Sequence, residues 1–143
     1  MIGYLDTSAF VPLLVAEPGS AACGRFWDDA DDVVACRLTY VETAAALAAA
    51  KRGGRMDNAQ HAAALALVER LWSELDVVEV DEGVVRAAAV FADRFALRGY
   101  DAVHCASAAL LEDNDLVAAT GDAQLLQAWA ALGIATYDPN RPA

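Results

Sequence analysis

The feature of this sequence that most constrains its fold is the alternation of short apolar segments with longer helical ones. Four or five mostly apolar residues bounded by turn residues are typical of a buried strand. Such strands are predicted at residues 2–5, 33–36, 77–80, 116–120 and 134–137. Because helical patterns separate these segments, we predict an α/β fold in which helices cover both faces of a central parallel sheet.

Capping signals predict where several of the helices begin and end. Ser8 is suited to cap a short helix after the first strand. Thr39 and Glu42 have the spacing of a capping box, and Gly53 is typical of the end of the helix that they open. Gly99 is predicted to stop a later helix.

The length and composition fit one domain spanning residues 1–143. Apolar residues make up 57% of the chain and no low-complexity tract is present, which argues against disorder. The longest apolar stretches are shorter than a bilayer span and the N-terminus lacks a basic n-region. We therefore expect no membrane span, no signal peptide and a cytoplasmic location. Three widely spaced cysteines argue against a disulfide framework or a zinc site.

The charge of the chain limits its partners. The net charge is −11, from 21 acids and 10 bases, whereas a general nucleic-acid-binding protein is basic. Either the protein avoids polyanions, or it binds one locally through a metal ion and a few arginines. A basic protein partner would suit the remaining acidic surface.

Four acidic residues stand where a predicted strand ends or a helix starts. They are Asp6 after the first strand, Glu42 after the cap of its helix, Asp101 at a helix start, and Asp122 after "LVAAT". In open parallel sheets the ligand site forms at the carboxyl ends of the strands, so all four could converge there. Taken singly, Glu42 also suits a capping box, and Asp101 and Asp122 also suit the helix dipole. Asp6 differs, because a carboxylate that ends a central strand is partly buried and needs a partner.

A divalent cation would relieve the repulsion among four converging carboxylates. A site of carboxylates without a Cys or His cluster favours a hard cation, so we predict magnesium or manganese, with magnesium about 2.1 Å from its oxygen ligands. Such a cation commonly acts on phosphates, where it polarises the phosphoryl oxygen and lowers the pKa of an attacking water. The acids therefore indicate a phosphodiester substrate.

Four segments of the chain carry a resemblance to a known family: "YLDTSAF", "TYVETAAAL", "GYDAVHCASA" and "LVAATGDAQLLQAW". In order and spacing they resemble the acidic motifs of PIN-domain nucleases, and specifically of the VapC toxins of bacterial toxin–antitoxin pairs. The resemblance covers almost the whole chain. It implies a PIN-like three-layer sandwich with a central parallel sheet of order 3-2-1-4-5, a homodimer, and inhibition by a cognate VapB-type antitoxin whose tail lies across the active-site groove.

The same resemblance implies catalytic roles for the four acids. Asp6, Asp101 and Asp122 match the acids that bind the metal, Mg²⁺ or Mn²⁺. Glu42 matches the acid that is often linked to the metal through water. The implied reaction is metal-dependent hydrolysis of an RNA phosphodiester, with Glu42 orienting or deprotonating the attacking water. The number of ions, the RNA target and its cleavage sequence stay open.

Three hydroxyl residues flank the acids and are candidates for substrate binding: Thr7, Ser8 and Thr120. Each hydroxyl could donate a hydrogen bond to a carboxylate or to the substrate phosphate. Each also suits a helix cap or a turn, so both interpretations stay open.

The basic and imidazole side chains near the motifs are a separate question. Arg52 belongs to the basic cluster of Lys51, Arg52 and Arg55. This cluster either binds RNA phosphates or interacts with the carboxyl end of its helix. His104 lies one helical turn from Asp101, and we expect it to be structural and hydrogen-bonded.

Two other classes of protein share part of this pattern. A HAD-like phosphohydrolase also begins with a strand that ends in Asp, but it needs a second acid two residues later, where this chain has Ser8. It also needs a downstream lysine, and Lys51 comes too early. A non-enzymatic acidic interaction module would use the four acids as helix caps, but this does not explain why they all fall at one sheet edge. For a toxin, we predict that the antitoxin supplies an arginine or lysine near the crowded acids.

Overall fold

The computed structural model describes residues 1–142 and contains a five-stranded parallel sheet with helices on both sides. Its elements are β1 (Ile2–Leu5), α1 (Thr7–Phe10), a 3₁₀ turn (Val11–Leu13), α2 (Ser20–Asp29), β2 (Asp32–Cys36), α3 (Leu38–Arg52), α4 (Asn58–Trp72), β3 (Asp76–Val78), α5 (Glu82–Phe95), α6 (Gly99–Ala109), β4 (Leu116–Ala119), α7 (Ala123–Ala131) and β5 (Ala135–Tyr137). The strand order is β3-β2-β1-β4-β5. The predicted fold class and sheet order are confirmed.

The register of the two central strands decides which residues meet at the edge of the sheet. β1 and β4 are parallel, and Leu5 at the end of β1 pairs with Ala119 at the end of β4. Asp6 and Thr120 directly follow these strands. The backbone N–H of Asp6 donates to the carbonyl oxygen of Ala119 at 3.2 Å, so the two strand ends are joined at this point.

Alternate residues along each strand pack on opposite faces of the sheet, as the pleat requires. Tyr4 and Val34 pack in a core with α5, α6 and α7. Leu5 and Ala35 pack in a second core with α1 and α2, which includes the buried side chain of Phe10. Both faces are covered, so the sheet carries apolar runs and its polar groups concentrate at the strand ends.

Two helix starts near these strand ends differ from the capping predictions. Asp6, and not Ser8, caps α1, because its carboxylate accepts a hydrogen bond from a backbone N–H of the first turn. α3 begins one residue before Thr39, whose buried hydroxyl has no hydrogen-bond partner within residues 1–142. The predicted capping box of Thr39 and Glu42 is therefore wrong. The carboxylate of Glu42 is free to make other contacts.

The helix that Gly99 was predicted to stop ends earlier. α5 finishes at Phe95, and Ala96 adopts the left-handed conformation with φ of 53°. Such a residue commonly terminates a helix, and it is usually glycine because glycine pays no steric cost there. Gly99 instead is the first residue of α6, which places Asp101 inside the first turn of that helix.

Two expectations that follow from composition can be compared with the structure. In the part of the chain that is described, no helix is both long and apolar enough to cross a membrane. Cys23, Cys36 and Cys105 are buried and form no disulfide, as predicted.

Candidate metal centre

All four acids that the sequence singles out line one cleft at the carboxyl edge of the sheet. The cleft has a volume of about 390 Å³, and its walls include Asp6, Glu42, Asp101 and Asp122. The end of β1 supplies Asp6, α3 supplies Glu42, α6 supplies Asp101, and the turn after β4 supplies Asp122. The parallel sheet thus brings together side chains that are up to 116 positions apart in the sequence.

Asp6 is the most deeply buried of the four acids, with only 4% of its surface exposed. Its Oδ1 accepts hydrogen bonds from the Ser8 hydroxyl at 2.7 Å and the Ala9 N–H at 3.1 Å, and its Oδ2 accepts one from the Thr120 hydroxyl at 2.6 Å. Burial raises the pKa of Asp6, and the charge of His104 and these hydrogen bonds act against that rise. The carboxylate is therefore held in place by three neutral donors.

Arg98 connects two of the other acids. Its Nε donates to Oδ2 of Asp101 at 3.3 Å, and its Nη2 lies 4.0 Å from Oδ2 of Asp122. Burial raises the pKa of Asp101 and the charge of Asp122 raises it further, whereas Arg98 lowers it. Arg98 is thus a partial counter-ion within the chain. Sequence reasoning missed it, although its position directly before α6 and three residues before Asp101 was an available signal.

Glu42 is held by a separate set of hydrogen bonds. Its Oε1 accepts from the Thr7 hydroxyl at 2.8 Å and from Nε2 of His104 at 2.7 Å. Nδ1 of His104 in turn lies 2.9 Å from the hydroxyl of Tyr4. Burial alone would raise the pKa of Glu42, but the hydrogen bond and charge interaction with His104 and the hydrogen bond from Thr7 lower it overall. The hydrogen bonding expected for His104 is confirmed, and its side chain also lies at the wall of the cleft.

The three hydroxyl residues named from the sequence all lie at the site. Thr7 and Ser8 line the cleft, and Thr120 lies directly behind Asp6. The hydroxyls of Ser8 and Thr120 are 3.2 Å apart, and each donates to a different oxygen of Asp6. These hydroxyls therefore support the acids, and Thr7 does the same for Glu42.

Arg52 is the one named residue that the structure does not bring to the cleft. It is exposed in the last turn of α3, about 15 Å along the helix axis from Glu42 at 1.5 Å per residue. The cleft instead contains Tyr100, whose ring lies under the guanidinium of Arg98 at 4.8 Å. The sequence offered no specific signal for Tyr100 or for the buried Tyr4.

The chemistry of these donors fits a hard divalent cation. They are carboxylates, and two of them, Asp6 and Asp101, have pKa values raised by burial, so their charged forms lack compensation that a cation would supply. Arg98 offsets only one of the charges. Within residues 1–142 no three potential ligands already converge on one point. Metal binding would therefore require the carboxylates to lie closer together than they do here.

Comparison with known proteins adds an independent line of support. The PIN domain family matches residues 3–129. The chain is 42% identical over 122 residues to "Ribonuclease VapC49" of Mycobacterium tuberculosis, with 85% of each protein covered. Its structure is similar to FitAcB from Neisseria gonorrhoeae, with a TM-score of 0.73 and 19% identity over 97% of this chain and 98% of the other. The DNA-bound VapBC from Salmonella typhimurium gives a TM-score of 0.66 and 20% identity over 97% and 98%.

The two kinds of similarity carry different weight. The structural neighbours are under 25% identical and bear on the fold alone. The family match covers residues 3–129, a range that contains all four acids of the cleft, and the identity to VapC49 extends over 122 residues. This decides between a PIN domain and a HAD-like phosphohydrolase. The chain belongs to the PIN-domain family and, within it, to the VapC ribonucleases.

Proposed function

We propose that this chain, acting as one PIN domain over residues 1–143, is the toxin of a type II toxin–antitoxin pair and a Mg²⁺-dependent endoribonuclease. The observation that carries the proposal is the convergence of four acids on one cleft, with two carboxylates buried and only one arginine beside them. The name of its 42% identical relative, a ribonuclease, supports RNA as the substrate. The products would be RNA fragments from hydrolysis of phosphodiester bonds.

Asp6, Asp101 and Asp122 are the residues that would hold Mg²⁺, or Mn²⁺ in its place. When bound, the cation would polarise the scissile phosphate and lower the pKa of the attacking water. The chain prepares one ligand in advance, because Ser8 and Thr120 fix both oxygens of Asp6. Asp101 is prepared less strictly, since its charged partner is the largely exposed Arg98, whereas Oδ1 of Asp122 accepts the backbone N–H of Leu125 at 2.9 Å.

Glu42 is the group that would orient or deprotonate the attacking water. Its pKa is lowered, so the side chain is ionised at neutral pH and can accept a hydrogen bond from water. A general base must come within hydrogen-bond distance of the water that it deprotonates. Thr7 and His104 both contact Oε1, and no donor within residues 1–142 contacts Oε2. Oε2 is thus the oxygen that would accept the hydrogen bond from the water.

RNA would be bound locally, because most of the surface repels a polyanion. Arg98 is 64% exposed and lies at the cleft beside the acids, where its guanidinium can contact a phosphate of the substrate. Thr7, Ser8 and Thr120 could donate to the substrate only by giving up the hydrogen bonds that they donate to Glu42 and Asp6. Arg52 stays a separate prediction, as a phosphate contact at the far end of α3.

A cognate VapB-type antitoxin is proposed as the protein partner, and a homodimer as the assembly. The similarity to the VapBC complex from Salmonella typhimurium supports the first, as does the net charge of −11, which suits a basic partner. The family resemblance supports the homodimer. Light scattering on the purified protein would give the mass of the assembly. A monomer at micromolar concentration would contradict a homodimer.

The test of the activity is incubation of the purified protein with total RNA, in Mg²⁺ or in a chelator, beside an Asp6→Ala variant. We expect discrete fragments with Mg²⁺ and intact RNA in the other two reactions. Discrete fragments that survive chelation or the substitution would overturn the mechanism. Titration calorimetry with Mg²⁺ separates the enzyme from a non-enzymatic acidic module, for which Asp101→Asn should change nothing.

A further inference from the structure

Tyr4, His104 and Glu42 form a chain of hydrogen bonds that runs from the core of the sheet to the wall of the cleft. Tyr4 is fully buried in β1, and its hydroxyl lies 2.9 Å from Nδ1 of His104. His104 is 2% exposed, and its Nε2 lies 2.7 Å from Oε1 of Glu42. An imidazole with a partner on each nitrogen and no room to rotate has one orientation.

The chemistry of the two ends of this chain decides where its protons lie. The ionised carboxylate of Glu42 can only accept, so Nε2 of His104 must carry a proton. When the imidazole is neutral, Nδ1 is an acceptor and the hydroxyl of Tyr4 donates to it; when the imidazole is protonated, both nitrogens donate and Nε2–H still points at Glu42. An ordinary phenol, with a pKa of about 10, is protonated at neutral pH, so the hydroxyl of Tyr4 carries the proton that this hydrogen bond needs.

We propose that Tyr4 and His104 are positioning residues for Glu42. The Tyr4 hydroxyl fixes the imidazole of His104 with Nε2–H directed at Oε1 of Glu42, which leaves Oε2 directed at the attacking water. This inference rests on the proposed ribonuclease function for its consequence, because the water is the nucleophile of that reaction. The hydrogen-bond chain itself exists independently of any substrate.

Substitutions at His104 distinguish its hydrogen bond with Glu42 from its hydrogen bond with Tyr4. In His104→Gln the side-chain amide reaches the place of Nε2 and can still donate to Glu42. In His104→Asn the shorter amide reaches only the place of Nδ1, so the contact with Tyr4 survives and the contact with Glu42 is lost. We expect the Asn variant to lose about 10- to 100-fold in kcat on RNA, with little change in KM, and the Gln variant to keep most of its activity.

Tyr4→Phe tests the other end and keeps the aromatic ring in the core. We expect a smaller loss in kcat, because the imidazole can still donate to Glu42 but no longer has its tautomer fixed. His61→Gln is the matched control, since His61 lies on α4, outside the walls of the cleft. Its activity should equal that of the natural chain. Circular dichroism and thermal melting of each variant show whether it folds.

Nuclear magnetic resonance can detect the hydrogen bonds of the His104 ring without any substrate. The sequence has two histidines, so ¹⁵N shifts of both rings can be assigned, with His61 as the reference. We expect a slowly exchanging proton on Nε2 of His104. Glu42→Ala should move that proton signal, and Tyr4→Phe should give a mixture of tautomers.

Two results would overturn the proposal. The first is an Nδ1–H tautomer of His104, or an Nε2 proton signal that Glu42→Ala leaves unchanged. The second is equal kcat for folded Asn and Gln variants of His104; if neither folds, an unchanged kcat in Tyr4→Phe decides instead. If the protein with its natural sequence leaves RNA intact, the ribonuclease function is contradicted. The resonance measurements alone then test whether Tyr4 and His104 position Glu42.

Discussion

The hydroxyl of Thr120 lies 2.6 Å from Oδ2 of Asp6, and this hydrogen bond joins the ends of the two central strands at the floor of the cleft. Both residues are buried, Thr120 completely and Asp6 to 4% exposure. The same threonine oxygen accepts the backbone N–H of Asp122 at 3.1 Å. One hydroxyl therefore connects two of the acids that are proposed to bind the metal.

Thr120→Val should lower the free energy of unfolding by about 1.5–3 kcal/mol, because a buried charged acceptor loses a donor while the volume of the side chain is kept. Urea denaturation at pH 7 measures the change. Thr120→Ser keeps the hydroxyl and should lose less. If the valine and serine variants were equally stable, the hydrogen bond to Asp6 would contribute nothing to the fold.

Asp6→Asn should abolish Mg²⁺ binding and lower RNA cleavage by about 100-fold or more, since the variant lacks a charged ligand. The fold should survive, because asparagine caps helices as well as aspartate does. Calorimetric titration with Mg²⁺ and an RNA cleavage assay give the two results. Unfolding of the variant would show that Asp6 is a structural residue.

The same substitution gives a prediction for pH. Burial raises the pKa of Asp6 above its ordinary value of 3.8, so in the absence of metal the folded state binds this proton more strongly than the unfolded chain does. Ionised Asp6 therefore costs stability at every pH above its folded pKa, and the cost disappears as the pH falls through that value towards 3.8.

In metal-free buffer, Asp6→Asn should thus be more stable than the natural chain at pH 7. The difference in the free energy of unfolding should shrink as the pH is lowered through the folded pKa of Asp6. Chemical denaturation at a series of pH values measures it. If the stability of the variant relative to the natural chain instead increased towards acid pH, the hydrogen bonds of Asp6 would have a larger effect on its pKa than burial does.

Arg98→Ala should tighten the binding of Mg²⁺ about fivefold. This corresponds to ~1 kcal/mol, the attraction in water between the guanidinium and a carboxylate about 4 Å away, which Mg²⁺ no longer has to overcome. The guanidinium competes with the cation for Asp101 and Asp122. Titration calorimetry compares the variant with Arg98→Lys, which keeps the charge. Weaker binding in the alanine variant would mean that Arg98 helps to organise the ligands.

The antitoxin should place an arginine or lysine next to the four acids when it neutralises the toxin. Their crowding motivates this expectation, because Arg98 offsets only one of the negative charges in the cleft. A structure of the complex is the measurement. Contacts in the cleft that are exclusively apolar would contradict it.

The amino-acid sequence predicted the sheet order, through the family resemblance, and it singled out the four acids that line the cleft. Periodicity located the strands, because a sheet covered on both faces needs short apolar segments that are separated by helices. The acids at the strand ends followed from the general position of sites in such sheets. Local signals were less reliable at the helix ends, where Asp6 took the cap assigned to Ser8 and where Ala96 took the left-handed position expected of glycine.

The surroundings of each acid follow from how the helices and strands pack in three dimensions. In the sequence, Tyr4 is one more apolar residue of a strand. Its hydroxyl contacts His104, 100 positions later, because β1 and α6 pack together. Thr39 and Glu42 have the local spacing of a cap, yet Glu42 bonds with Thr7 and His104 instead. Hydrogen bonds between distant segments depend on which elements pack together. A pattern that compares residues a few positions apart carries no information about them.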